Sequence, residues 1–235
     1  MLELKDIWFR YSKNSQWVLR GLTASFREGL NLVIGPNGSG KSTLLKVIVG
    51  FLKPEKGKIL LNNKPIRKID DVKGKMIYLP SNYLLYLTGP KVKDEIGDRM
   101  PELSDKRILE LSEGEGRIVA IMSALLKDVD VILLDEPTIG LDKIKRRKII
   151  ELMREKKDKI LIVASNDLRI VEYFDRVFLL YDGRIIKQGS PESVIYSVKN
   201  SKKVGKHPLA EFSDLTRRRF PKLGDLIKFL RDEIC

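Results

Sequence analysis

The chain has 235 residues and a net charge of +13, from 45 Lys and Arg against 32 Asp and Glu. That length accommodates one domain with a substantial core, or one domain with an appendage. No run of about eighteen apolar residues is present, which argues against a membrane-spanning helix, and Met1–Asp6 has neither the basic nor the apolar region expected of a secretion signal.

Leu2, Leu4, Ile7 and Phe9 are separated by polar positions, and Val18–Phe26 repeats that pattern more loosely. Both read as antiparallel strands with one exposed face. The apolar run Leu30–Ile34 reads as a buried strand, and the amphipathic run Leu44–Val49 as a helix. Between them lies Gly35-Pro36-Asn37-Gly38-Ser39-Gly40-Lys41-Ser42-Thr43, a match to the phosphate-loop pattern in the strand–loop–helix setting it requires. Its glycines let main-chain N–H groups turn inward around an anion. The helix start adds unpaired N–H groups and the positive end of its dipole. In such a loop Lys41 reaches the β- and γ-phosphates, and the Ser42 hydroxyl holds Mg2+.

Ile59–Leu61 and Met76–Leu79 read as short strands. The continuous apolar runs Val131–Leu134 and Ile160–Val163 suit a parallel sheet buried on both faces. Helices are expected at Gly116–Leu126, Lys143–Lys156 and Leu168–Tyr173, and a hairpin around Tyr181-Asp182-Gly183, flanked by Val177–Leu180 and Arg184–Lys187. The alternation predicts an α/β core with a mixed or parallel sheet and an antiparallel strand layer. Val131–Leu134 runs into Asp135-Glu136. Asp135 is expected to help hold Mg2+ through water, and Glu136 to polarise the water that attacks the γ-phosphate.

Val198–Lys206 turns basic and polar and reads as a linker; the domain is therefore set at 1–197 and an extension at 198–235. Leu223, Leu226, Ile227, Leu230 and Ile234 fall on one helical face, which packs on its own domain or meets another subunit. The basic groups at Lys143–Lys148, Lys199–Lys206 and Arg217–Arg219 are not interleaved with aromatics. They read first as solvated surface, with an anionic membrane or nucleic acid as alternatives. High charge with a single His resembles a heat-adapted surface. The only cysteine, Cys235, forms no intrachain disulfide, and a reducing cytoplasm is expected.

The phosphate loop, Leu133-Leu134-Asp135-Glu136-Pro137-Thr138, the following Gly140-Leu141-Asp142 and the late Asp182-Gly183-Arg184 stand in the order of the ATP-binding cassette (ABC) family, which the chain resembles over roughly residues 2 to 195. The resemblance implies a P-loop NTPase fold, ATP and Mg2+ as cofactors, and a helical subdomain at about 82–125. It also implies that Tyr11, in Phe9-Arg10-Tyr11, stacks on adenine, with Trp17 as the neighbouring alternative.

Four departures from the family stand out. The signature segment aligns with Leu111-Ser112-Glu113-Gly114-Glu115: Ser112 and Gly114 remain, while Glu113 and Glu115 bring carboxylates. In the family this segment binds the γ-phosphate held by the opposite subunit, and negative charge there repels it unless a cation intervenes. Ser81 occupies the place of a glutamine, with Asn82 as a possible substitute, and Asn166 the place of a histidine; His207 aligns with nothing catalytic. Asparagine donates a hydrogen bond but carries no proton or charge. The stretch between Ser81 and Leu111 is short for the family, with Thr88–Ile96 resembling the strand that opens the helical subdomain; a reduced docking surface for a membrane subunit is expected.

The resemblance implies an ATP hydrolase that is the ATP-binding subunit of a transporter, on the cytoplasmic face of the membrane. Its expected partners are a second ATPase subunit and integral membrane subunits, with no nucleic acid. The departures favour the degenerate half of a heterodimer, and Val177–Val194 together with the carboxy-terminal extension look like ATPases of energy-coupling-factor importers of vitamins or metal ions. A soluble cassette protein acting as an ATP-dependent conformational switch is the alternative, and a module that binds ATP without hydrolysing it is a third reading, one that Glu136 argues against.

Overall fold

The computed structural model describes residues 1–194. The linker and apolar tail stripe expected beyond them lie outside the described residues. Two sheets organise the chain. Strands β1 (Leu2–Phe9), β2 (Leu19–Phe26), β4 (Lys56–Leu61) and β5 (Lys64–Ile66) form an antiparallel sheet in the order β2-β1-β4-β5. Strands β3 (Gly29–Ile34), β6 (Met76–Leu79), β7 (Val131–Asp135), β8 (Ile160–Ser165), β9 (Arg176–Tyr181) and β10 (Arg184–Gly189) form the second, ordered β10-β9-β3-β8-β7-β6. All its pairings are parallel except β10 with β9.

The pleat divides the apolar runs between two cores. Leu30, Leu32, Leu134, Leu161 and Val163 join one core with helices α3 (Glu113–Leu126) and α4 (Lys143–Arg154). Val33, Leu133, Ile162 and Phe178 join the other, with helix α1 (Lys41–Ile48) and the inner face of the antiparallel sheet. Helix α1 is thus enclosed between the sheets, with Leu44, Leu45 and Ile48 fully buried. Truncating such a leucine to alanine costs about 2–5 kcal/mol. Burial on both faces is why these strands read as unbroken hydrophobic runs.

The expected elements are present with shifted ends, and α3 starts three residues before the expected Gly116. Leu168–Tyr173 is a 3-10 helix. Strand β5 was not expected; it follows Asn62 and Asn63, both at positive φ (48° and 65°), a turn conformation asparagine tolerates. One expectation is corrected. Thr88–Ile96 is not a strand: Val92–Ile96 is helix α2. Asp94 accepts from the Lys91 N–H at its start, and Glu95 folds back onto the Gly89 N–H at 2.6 Å. A carboxylate gathering N–H groups ahead of it favours a helix start over a strand. Between Ser81 and Ser112, α2 and short 3-10 turns are the only helices described, which is the shortened helical subdomain.

Candidate functional site

The ends of β3, β8 and β7 lie side by side, because these strands are parallel neighbours; Ile34 pairs with Ser165 and Asp135 with Ala164. The segments leaving the three strands therefore meet at one sheet edge, bringing together the phosphate loop, Asn166 and Glu136. This is the edge where open α/β sheets bind ligands.

The loop runs from Gly35 into α1, whose first residue is Lys41 and whose N-cap, Gly40, supplies no side-chain cap. No acidic residue sits in that first turn, so its N–H groups remain for an anion. A Cβ on Gly35 would stand 2.1 Å from the Leu180 carbonyl oxygen, so only glycine fits. Gly38 and Gly40 hold φ of 78° and 104°. From outside, the loop is braced by the β9–β10 hairpin: the Gly183 N–H donates to the Ser39 carbonyl, and Arg20 ties Asp182 to β2. The hairpin was legible in the sequence; its role as a brace was not.

Lys41 Nζ, nearly buried, donates to the carbonyls of Gly35 and Pro36 and lies 3.4 Å from Glu136 Oε1. Ser39 Oγ is buried without a hydrogen-bond partner. A glycine loop with an aimed ammonium, an open helix start and an orphaned hydroxyl fits a polyphosphate. Ser42 Oγ donates to Asp135 Oδ1 at 3.1 Å, and Tyr78 Oη donates to Asp135 Oδ2 at 3.2 Å. Hydroxyl and carboxylate oxygens are the hard donors that Mg2+ prefers, with phosphate and water completing its shell. Among the described residues no cluster of three or more His, Cys, Asp or Glu forms a separate metal site. Burial, then the Asp135 charge, pushes the Tyr78 hydroxyl pKa above the usual tyrosine value, which keeps it a donor.

Glu136 sits at φ 49°, a left-handed conformation that a non-glycine residue adopts only when held. Its Oε2 accepts from Ser165 Oγ at 3.0 Å and from the Asn166 N–H. The Asn166 amide donates to Asn37 Oδ1 at 2.9 Å, bridging β8 to the phosphate loop. Thr43 Oγ1 meets the hydroxyl of Tyr11, whose ring is exposed at 61%. Trp17 is engaged elsewhere, with the Arg10 guanidinium 4.4 Å from its ring and the Trp8 ring against it. The Tyr11 ring stands beside the phosphate loop, with the Phe9 ring edge-on at 5.1 Å.

Ser112, Gly114 and Asp142 form a second cluster, around the starts of α3 and α4. Asp142 caps α4 through the Lys145 N–H. Ser112 caps α3, and its N–H and hydroxyl both donate to Glu115 Oε2, at 2.8 and 2.7 Å. Those two bonds hold the Glu115 carboxyl below its usual pKa, the hydroxyl contributing most. Lys106 Nζ lies 3.7 Å from Glu115, and Arg117 lies 3.2 Å from Glu113. Gly114 has Lys145 Nζ 3.2 Å from where a Cβ would stand. Each signature carboxylate thus has a cation of its own.

Ser81 enters the site through its main chain. Its carbonyl accepts from Arg117 Nη1 at 3.2 Å, and the same nitrogen donates to the Glu136 carbonyl at 3.3 Å. Asn82 Oδ1 accepts from the Leu84 N–H as the cap of a 3-10 turn, so its amide oxygen is engaged. Two residues escaped the sequence reading. Tyr78 looked like an ordinary strand residue. Arg117, 5% exposed, looked like one of many surface arginines. Its position one turn past Ser112, followed by Ile118-Val119-Ala120-Ile121, was the only available sign.

A family model described as ABC transporter matches residues 19–139. The energy-coupling factor transporter ATP-binding protein EcfA of Methanocaldococcus jannaschii is 31% identical, over 98% of this chain and 89% of its own length. The solved structure of CbiO1 from Clostridium perfringens, described as part of the ABC transporter complex CbiONQ, superposes with a TM-score of 0.74. It is 28% identical and is covered over 98% of its chain, against 92% of this one. The dimeric cassette MJ0796 shares the fold, with a TM-score of 0.69, at 21% identity over 81% of this chain and 99% of that one.

Proposed function

This chain belongs to the ABC transporter family as an ATP-binding ATPase subunit, and from that premise we propose that it works as the degenerate half of a heterodimer. In this reading Tyr11 stacks on adenine, and Gly35–Thr43 binds the phosphates through main-chain N–H groups and Lys41. Ser42 and Asp135 hold Mg2+, and Glu136 polarises the attacking water. Asn166 and Ser81 stand at the γ-phosphate without the charge or amide of the family's residues. Losing one such donor raises the barrier by about 2.7–4 kcal/mol, so turnover at this chain's own site is slow. Asp142 and the signature residues Ser112 and Gly114 face the partner subunit's nucleotide.

One observation carries the degenerate reading: Ser112 spends its hydroxyl and N–H on the chain's own Glu115. An internal carboxylate thus takes, in a capping box, the two Ser112 donors that would meet the partner's γ-phosphate. Because Lys106 and Arg117 offset the two carboxylates, occupation rather than net repulsion is the obstacle.

The names of the relatives support a transporter of the energy-coupling-factor type; within the proposal, its cargo is a vitamin or a metal ion and its direction is import. No described helix is long and apolar enough to cross a membrane; separate membrane subunits supply the pathway, and this chain docks on their cytoplasmic face. The test is ATP turnover by the purified chain with Mg2+, beside Glu136→Gln, with ATP binding measured for both. Binding without turnover in either is the expected result. Turnover that disappears in the variant would sink the degenerate-half reading and leave Glu136 catalytic in a homodimer.

A further inference from the structure

Tyr78 is a buried donor for which the roles above have no use. It lies on β6 opposite Leu133, two residues before Asp135 on the neighbouring strand β7. Asp135 is 2% exposed, so both oxygens of its carboxylate need partners. Oδ1 has Ser42 Oγ at 3.1 Å and Oδ2 has Tyr78 Oη at 3.2 Å. These two partners differ in stiffness. The Ser42 hydroxyl turns freely about one bond and must reorient when it meets a cation. The Tyr78 ring is packed, with Phe51 edge-on against it at a centroid distance of 5.8 Å. Its O–H therefore stays aimed at one carboxylate oxygen whatever Ser42 does.

We propose that Tyr78 is a positioning residue for the divalent cation that accompanies the nucleotide. It fixes the plane of the Asp135 carboxylate and holds Oδ2, leaving Oδ1 directed at Ser42, where cation and hydroxyl meet. Without that bond the carboxylate has a buried oxygen lacking its donor and rotates to find another. The inference rests on the proposed Mg2+ role of Ser42 and Asp135. It goes beyond that role by making a residue that touches neither nucleotide nor metal set the metal's contribution.

The test is Tyr78→Phe in the full chain, which removes one oxygen and keeps the ring. Binding of a fluorescent ATP analogue is titrated once in EDTA and once in Mg2+, and Mn2+ binding in the presence of ATP is followed by its paramagnetic resonance signal. In EDTA the affinity is expected to match the parent chain. The gain on adding Mg2+ is expected to fall by about tenfold, the loss that one hydrogen bond to a charged group produces. The Mn2+ affinity is expected to fall in step. An equal or larger metal gain in the variant overturns the proposal. So does a loss of nucleotide binding in EDTA, which would make Tyr78 a general support of the pocket. If the parent chain gains nothing from Mg2+, the assignment of Ser42 and Asp135 fails first and this inference with it, a result separate from an unchanged gain. Ser42→Ala, which removes the other partner of Asp135, gives the size of a lost metal contact for comparison.

Discussion

A buried guanidinium costs stability unless its donors are used, and Arg117 uses both terminal nitrogens while its Nε has no hydrogen-bond partner. It binds the carbonyls of Ser81 and Glu136, pairs with Glu113, and lies 5.4 Å from the Tyr83 ring centroid. A Cβ on Gly116 would come within 2.6 Å of that ring, so the neighbouring glycine is what lets Arg117 and Tyr83 pack. Glu136 needs such support because its left-handed backbone is strained. Arg117→Met strips donors from two carbonyls, while Glu113 remains solvated. It should lower stability to unfolding by about 1–3 kcal/mol. ATP affinity should change little, since Arg117 bonds neither the phosphate loop nor Tyr11, and its partners Ser81 and Glu136 are held through their carbonyls. Denaturant melts and ATP titration check both; an unaltered melt would show that the carbonyls find other donors.

Helix α2 shows how one carboxylate can organise a short element. Burial works against the charge of Glu95, yet N–H donors from Gly89 and Thr88 and the Ser123 hydroxyl hold its pKa below the ordinary 4.5. The bonds join the Thr88–Gly89 turn, α2 and α3. Linkage gives the sign: a carboxyl lowered in the folded state adds stability that is complete above its unfolded pKa. That stability is lost as pH falls from about 4.5 through the folded pKa. Glu95→Gln should therefore be less stable than the parent chain at neutral pH and show a shallower fall in acid. Thermal melts between neutral pH and pH about 3 test this; parallel curves would remove Glu95 as the anchor.

At the scale of the whole molecule, the proposed heterodimer assigns the two carboxylate pairs to different nucleotides. Asp135 and Glu136 lie beside the chain's own phosphate loop, while Glu113 and Glu115 lie in the first turn of α3. In Glu136→Gln, where hydrolysis is blocked, ATP should leave the chain monomeric, because Ser112 is already engaged by Glu115. Combining Glu113→Gly and Glu115→Gln with that change should allow ATP-dependent self-association. Light scattering with and without MgATP distinguishes the two. A dimer of the single variant would mean that phosphate displaces Glu115 and that the signature works as it stands.

The nucleotide-binding motifs were legible in the amino-acid sequence by itself. Glycine spacing, Lys41, Ser42 and an apolar strand ending in Asp135-Glu136 are local facts, and the strand–loop–helix setting gives the loop the geometry of a phosphate cradle. The strand runs were legible for the same reason, since burial on both sheet faces writes itself as unbroken hydrophobic residues. Thr88–Ile96 misled because its fate depended on where Asp94 and Glu95 found N–H partners, which a pattern of residue types does not record. The tertiary structure decided what the signature carboxylates do, which ring stands by the phosphate loop, and how Tyr78 and Arg117 act. The last two depend on contacts across 57 and 36 positions of chain, between groups that the parallel order β3-β8-β7-β6 brings together.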